Sequence, residues 1–231
     1  MLGWLGILRL GLVQTSLGAV IVLTTSTMNR VMVVELALPA MLPGILVALH
    51  HIVQMSRPRF GYGSDVGGRR TPWIIGGMIV LALGGTGAAL GTALMVSSPG
   101  AGTALAVIAF ILIGLGAGAA GTSLLVLLAK QVPMERKAAA ATIVWIMMIA
   151  GFAVTAVLAG HFLDPFSPRR LVQLTAVVSQ TAVIDTLLAH NRLKHRGETG
   201  TEATTSQDGG LTPAFTQAHK NVCHQTESLR F

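Results

Sequence analysis

The sequence predicts an all-α membrane protein: a bundle of six transmembrane helices over residues 1–190, then a tail over residues 191–231 that is basic and afterwards disordered. Composition is the first ground. Of 231 residues, 52% are hydrophobic and 11% charged, and mean hydropathy is +0.68. Soluble domains carry about 25% charged residues, so this chain has too little polar side chain to cover a water-soluble globule. The second ground is length. Apolar runs of about 20 residues, enough for a helix to cross a bilayer core, recur along the chain with charges between them. The third is charge placement. The net charge of +7 gathers at 57–70, 130–137 and 192–196, as it does in cytoplasmic loops between membrane helices.

The first span covers about 10–28, with Gln14, Thr15, Ser16 and Thr24 to Thr27 as its polar members. Such side chains inside a span face other helices or a cavity. Asn29, Arg30 and Glu35 follow, with Pro39 and Pro43 beyond. They form a short outer loop, or Glu35 begins the next helix. The second span, 36–56, carries His50 and His51 near its inner end. The third, 73–97, has Gly77, Gly84 and Gly91 seven apart on one face, and such a face admits a neighbouring backbone. An uncharged turn near Ser98 leads to the fourth span, 103–129. There Gly114, Gly118 and Gly121 share a face, and Gly114-x-x-x-Gly118 is a packing motif. The inner loop 130–137 precedes the fifth span, 138–162, which holds Trp145. The turn His161 to Arg170 lies outside. The sixth span, 171–189, is the weakest because Asp185 intrudes, placed at the inner interface beside Arg192 and Lys194. Both termini are therefore expected in the cytoplasm. From about Gly197 the chain loses apolar periodicity and reads as disordered.

Several function classes find no support. No phosphate-cradling loop, His-Glu-x-x-His or nucleophile elbow occurs, so no catalytic residue is assigned and the chain is not expected to be an enzyme. The single cysteine, Cys223, forms no internal disulfide and no thiol metal cluster. No basic groove with interleaved aromatics suits nucleic acid. The start, Met1 to Arg9, reads as the lead-in to a retained helix. Spans 1, 3, 4 and 5 hold no acid or base in their middles, where ion-coupled transporters usually place them. His50 and His51 sit about 100° apart on a helix and cannot both face one metal. Either imidazole has the chemistry to ligate a chlorophyll-type magnesium, and interfacial histidines are the structural alternative.

The stretch from Arg57 to Trp73 carries four arginines against one acid, with Gly61, Gly63, Gly67 and Gly68 as turn residues. Pro58 and Pro72 punctuate its ends. Gly61-x-x-x-Asp65-x-x-Gly68-Arg69-Arg70 resembles the signature loop between helices 2 and 3 of the major facilitator superfamily, with Val66 where a basic residue usually stands. The resemblance implies that the six helices equal the N-terminal half of a twelve-helix fold. It also implies that Asp65 latches one conformation at a helix N-terminus, where a carboxylate is favoured.

Longer strings are more specific. Residues 9–18, 25–44 and 63–76 and the turn Leu163 to Leu171 are similar to the PucC/LhaA family, a branch of that superfamily in photosynthetic bacteria. The similarity covers about residues 9–190. It implies an integral membrane assembly factor for light-harvesting antenna complexes that handles or delivers bacteriochlorophyll. Implied partners are the lipid bilayer, antenna polypeptides and pigment-synthesis proteins; the implied location is the bacterial inner, intracytoplasmic membrane. A facilitator moving a small solute or lipid is the alternative, and an inert half-bundle a third reading. The second half of the fold is missing, and the tail's composition suggests a truncated or shifted frame near residue 190.

Overall fold

A computed structural model describes residues 2–66 and 70–205, with side chains at 2–62 and 70–189. The chain divides into two units, Met1–His190 and Asn191–Phe231. Among the described residues of the first unit all regular structure is helical, and five helices are long and apolar enough to cross a membrane. The protein is an all-α, multi-pass membrane protein.

Helix α1 runs Trp4–Glu35 and is longer than the expected span. It begins as α-helix over Trp4–Val22, widens to π geometry at Leu23–Thr27, and widens again at Val31–Glu35. A π turn offsets the carbonyls of the preceding turn. The Thr24 hydroxyl donates to the Val20 and Ile21 carbonyls at 3.0 and 2.9 Å, and Thr25 donates to Ile21 at 2.8 Å. The hydroxyl-rich run at 24–27 thus supplies local partners for backbone that a bilayer cannot hydrate. Helix α1 stops at Ala37, whose φ of 49° is left-handed, and Pro39 prevents its resumption. Glu35 therefore ends α1, where it pairs with Arg30 at 3.8 Å.

Helix α2, Met41–Gln54, has 14 residues against the 21 expected for the second span. At 1.5 Å per residue it is about 21 Å long, short of a core about 30 Å thick. Ala37, Pro39 and the turn at Met55–Ser56 bound it. The next segment corrects the expected loop: Arg57–Val66 is a helix, α3. Pro58 falls in its first turn, where a missing N–H costs nothing. Its wall toward the bundle is Phe60. Gly67, Gly68 and Arg69 lie outside the described residues. Helix α4 is Thr71–Leu94, with Pro72 in its first turn. Helix α5 is Pro99–Gln131, α6 is Lys137–Phe162 and α7 is Pro168–Thr205, of which Pro168–Ala189 is the membrane-spanning part. Helical backbone thus continues past Gly197, where the composition predicts disorder. Residues 206–231 lie outside the described residues.

The core forms on α4 and α5. They are antiparallel and in strict register. Gly77 lies against the Ala120 backbone, Gly84 against Ile113 and Gly91 against Ala106, so each step of seven along α4 meets a step of seven back along α5. A Cβ on Gly84 would stand 2.8 Å from the Ile113 nitrogen. A shared period of seven keeps a seam between two helices in contact over its whole length. Helix α5 answers with small residues, Gly102, Ala106, Ala109, Gly116 and Ala120, all buried. In a bilayer this close packing supplies the association energy that hydrophobic burial supplies in water.

Helices α1 and α6 run parallel. Gly11 meets Met147, Gly151 meets Thr15, and Gly18 meets Phe152. Helix α2 runs parallel to α5, since Gly114 abuts the His50 carbonyl and Gly118 abuts α3 at Phe60 and Arg57. These directions are what alternating passages of the chain require. On α6 the side chains of Trp145, Ile146, Ile149, Val154 and Val157 are exposed, an apolar surface suited to lipid or to another membrane helix.

Candidate functional site

A candidate site lies where α3, α4 and α5 meet. A cavity of about 420 Å³ opens there, within the range of about 300–1,000 Å³ typical of small-molecule sites. One wall is aromatic, with the Phe60 and Trp73 rings 6.3 Å apart and tilted by 51°. Val80, Leu112 and Leu115 form the aliphatic sides. Gly76, Gly77, Gly116 and Ala119 expose backbone between them, and two of these glycines belong to the α4–α5 seam. Gly76 does not, because a Cβ there would meet nothing within 4 Å. Pro72, Trp73 and Gly76 sit in the first turns of α4, so the cavity is near the end of the bundle that carries Arg57, Arg59 and Arg70.

Local sequence explains that wall. The Arg70 backbone is the N-cap of α4, and its carbonyl accepts from the Trp73 and Ile74 amides, both at 3.1 Å. This sets the direction in which Trp73 leaves the helix. Gly61 faces Thr122 of α5 at 3.6 Å from a notional Cβ, an ordinary contact. The Asp65 side chain, Gly68 and Arg69 lie outside the described residues.

A polar strip runs along α2 into α3. His50 is fully buried, and the Gln54 amide nitrogen lies 2.5 Å from its Nε2. Arg57 in turn donates to Gln54 Oε1. With the Gln54 amide as donor, the proton of the neutral imidazole resides on Nδ1, which is buried with no hydrogen-bond partner. Partial burial lowers the Arg57 pKa from its usual value. His51 is exposed, and the two imidazole rings stand 4.8 Å apart at 66°. His50 is not among the residues that line the cavity. The cavity therefore fits hydrocarbon, and its lining offers no imidazole or carboxylate to a magnesium ion.

Elsewhere the structure separates the remaining candidates. Gly77, Gly84 and Gly91 face α5, Gly114 and Gly118 face α2 and α3, and Gly121 faces Leu17 of α1 at 3.7 Å from a notional Cβ. Asp185 accepts a hydrogen bond from the Ser16 hydroxyl at 3.0 Å, joining α7 to α1. Whether Arg192 or Lys194 lies beside it falls outside the described side chains. Gln14 donates to the Met148 sulfur at 3.2 Å, while its Oε1 is buried without a partner. Among the described residues no group of three metal-ligating side chains occurs.

Sequence reasoning missed Phe60, Gly116 and Gln54. Gly116 falls in a repeat of seven on α5, from Gly102 through Ala106, Ala109 and Ile113 to Ala120, whose mixture of glycine, alanine and isoleucine gives only a faint signal. Gln54 and Arg57 lie four and seven residues after His50, spacings that share a helical face. Phe60 carried no such signal, because the helix that presents it reads as a loop.

The model of the family described as PUCC protein matches residues 27–231. Its match continues through the tail, beyond the composition change near residue 190. The chain is 57% identical over 198 residues to a protein of Rhodobacter capsulatus named bacteriochlorophyll synthase 44.5 kDa chain, covering 84% of this chain and 46% of that one. It is 31% identical over 199 residues to Protein PucC of the same species, covering 79% and 41%. With Protein PucC of Rhodovulum sulfidophilum it shares 30% over 226 residues, covering 92% and 49%. The chain thus spans about half the length of these relatives. No solved structure matches it. With the family model matched over most of its length and a Protein PucC 31% identical over 79% of it, this chain belongs to the PucC family.

Proposed function

We propose that the protein is an assembly factor for photosynthetic light-harvesting complexes, acting in the membrane by handling bacteriochlorophyll on its way to antenna polypeptides. The observation that carries the reading is the apolar cavity at one end of a glycine-packed bundle, in a chain of the PucC family with one relative, 57% identical, named for bacteriochlorophyll synthase. Such a cavity accepts an apolar cargo and performs no chemistry on it, since its lining has no acid, base or nucleophile. On this reading the protein is not an enzyme. The bundle is one half of a major facilitator fold, and Asp65 steadies one of its conformations. The arginines near the cavity face the cytoplasm, as do both termini, in the intracytoplasmic membrane. Antenna polypeptides and pigment-synthesis proteins are its partners.

One relative's name favours a second reading, in which the protein serves pigment synthesis itself. Deleting the gene and recording near-infrared absorption of the membranes tests the assembly reading. Loss of antenna bands is expected, and unchanged antenna levels would sink it.

A further inference from the structure

We infer that the cavity between α3, α4 and α5 is a hydrocarbon site that takes the long isoprenoid tail of a magnesium tetrapyrrole ester and leaves the metal outside. This rests on the pigment-handling reading above and deepens it. The lining is the first ground: aromatic, aliphatic and glycine surface, with no imidazole, carboxylate or amide side chain. The imidazole buried in the bundle, His50, lies elsewhere and holds Gln54. The metal of a pigment therefore has no ligand here.

The second ground is rigidity. Gly77 and Gly116 belong to the seam where the α4 and α5 backbones touch, so the cavity floor cannot rearrange without opening that seam. Rigidity matters because lipid tails are as apolar as the cavity, and hydrophobic burial does not choose between them. Selection must come from shape, through dispersion contacts that a methyl-branched chain makes with the flat Phe60 and Trp73 rings and a straight chain makes less fully. The third ground is position. The cavity opens in the first turns of α4, next to the cationic residues of α3, so a seated tail leaves its ester and macrocycle at headgroup level. Carried by its tail, the pigment keeps its magnesium open to a ligand on the receiving polypeptide.

The test uses the full chain in phosphatidylcholine nanodiscs. A diazirine-bearing isoprenoid alcohol is photolysed and the labelled peptides are identified. Retention of bacteriochlorophyll is measured separately against three competitors: phytol, the tail-less bacteriochlorophyllide and phosphatidylglycerol. Label is expected on Val80 or on Leu112 to Leu115. Phytol should displace both label and pigment, while bacteriochlorophyllide at equal concentration displaces neither. Gly76→Leu should lower retention at least tenfold with an unchanged thermal midpoint, since its Cβ meets open space. Val80→Trp, filling the cavity from the next turn, replaces it if that midpoint moves. Pigment retained equally by wild type and both variants, or displaced by bacteriochlorophyllide, would overturn the tail site and leave pigment handling standing. Equal displacement by phosphatidylglycerol would reduce the cavity to a lipid groove and overturn the proposal. Labelling without pigment retention would keep the isoprenoid site and overturn pigment handling.

Discussion

Single residues decide where this chain bends and what its buried polar atoms do. Ala37 holds a left-handed φ of 49°, a conformation that costs a residue with a Cβ roughly 1–2 kcal/mol. Ala37→Gly should relieve that cost and raise stability by about 1 kcal/mol, less whatever the freer unfolded chain takes back. Thermal unfolding in detergent would show it, and a lowered midpoint would mean that the bend is set elsewhere. The two adjacent histidines illustrate how far sequence reaches. Their divergence followed from helix geometry, and the structure buries one and exposes the other. Which one is buried was not legible, because it depends on Gly114 of a helix some sixty residues away. The Asp65 latch stays a proposal. In a full-length relative, Asp65→Asn should lower antenna content several-fold and Arg59→Lys should not. A helix-terminal carboxylate is worth about 0.3–1 kcal/mol, and 1.4 kcal/mol is tenfold in an equilibrium. Equal antenna content in the wild type and Asp65→Asn would leave the segment with a topological role alone.

The elements are held together by close backbone approach more than by large side chains. Gly84→Leu should therefore wedge α4 from α5 and destabilise the bundle by about 1–3 kcal/mol or more, the usual range for overpacking. Gly76→Leu, one helical face away, should leave stability unchanged. Comparing the two thermal midpoints in one detergent checks this, and equal midpoints would contradict the seam. The glycine repeat of α4 could be read from its spacing of seven. Its partner on α5 was harder to see, because alanines and an isoleucine share the repeat with glycines. The Arg57–Val66 helix was not legible at all. Gly61 and Gly63 favour turns in isolation, but this segment packs through Phe60 and Arg57 onto Gly118 of α5, and that contact outweighs local preference. The short second span has a local cause: Ala37 and Pro39 remove helix from its start, and the composition alone does not mark that loss.

At the scale of the whole molecule, membrane class was written in composition, since 11% charge cannot clothe a soluble fold. The parallel and antiparallel helix directions suit a chain that passes back and forth through a bilayer. A reporter fused after Arg70 or Lys137 should register cytoplasm, and one near Ser98 the periplasm; the reverse would overturn the orientation drawn from the basic clusters. The cavity could not be foreseen, because it depends on the register of α4 with α5 and on a helix that looked like a loop. The proposed function turns on whether the protein places bacteriochlorophyll or serves its synthesis. The direct measurement is the amount of bacteriochlorophyll extractable into solvent beside the amount absorbing in antenna complexes, in cells with and without the gene. Placement predicts that antenna absorption falls severalfold in the deletion strain while its bound fraction of total pigment falls with it, leaving free pigment or precursor in the membrane. Extractable pigment that falls in step with the complexes, at an unchanged bound fraction, would contradict the account and assign the protein to synthesis.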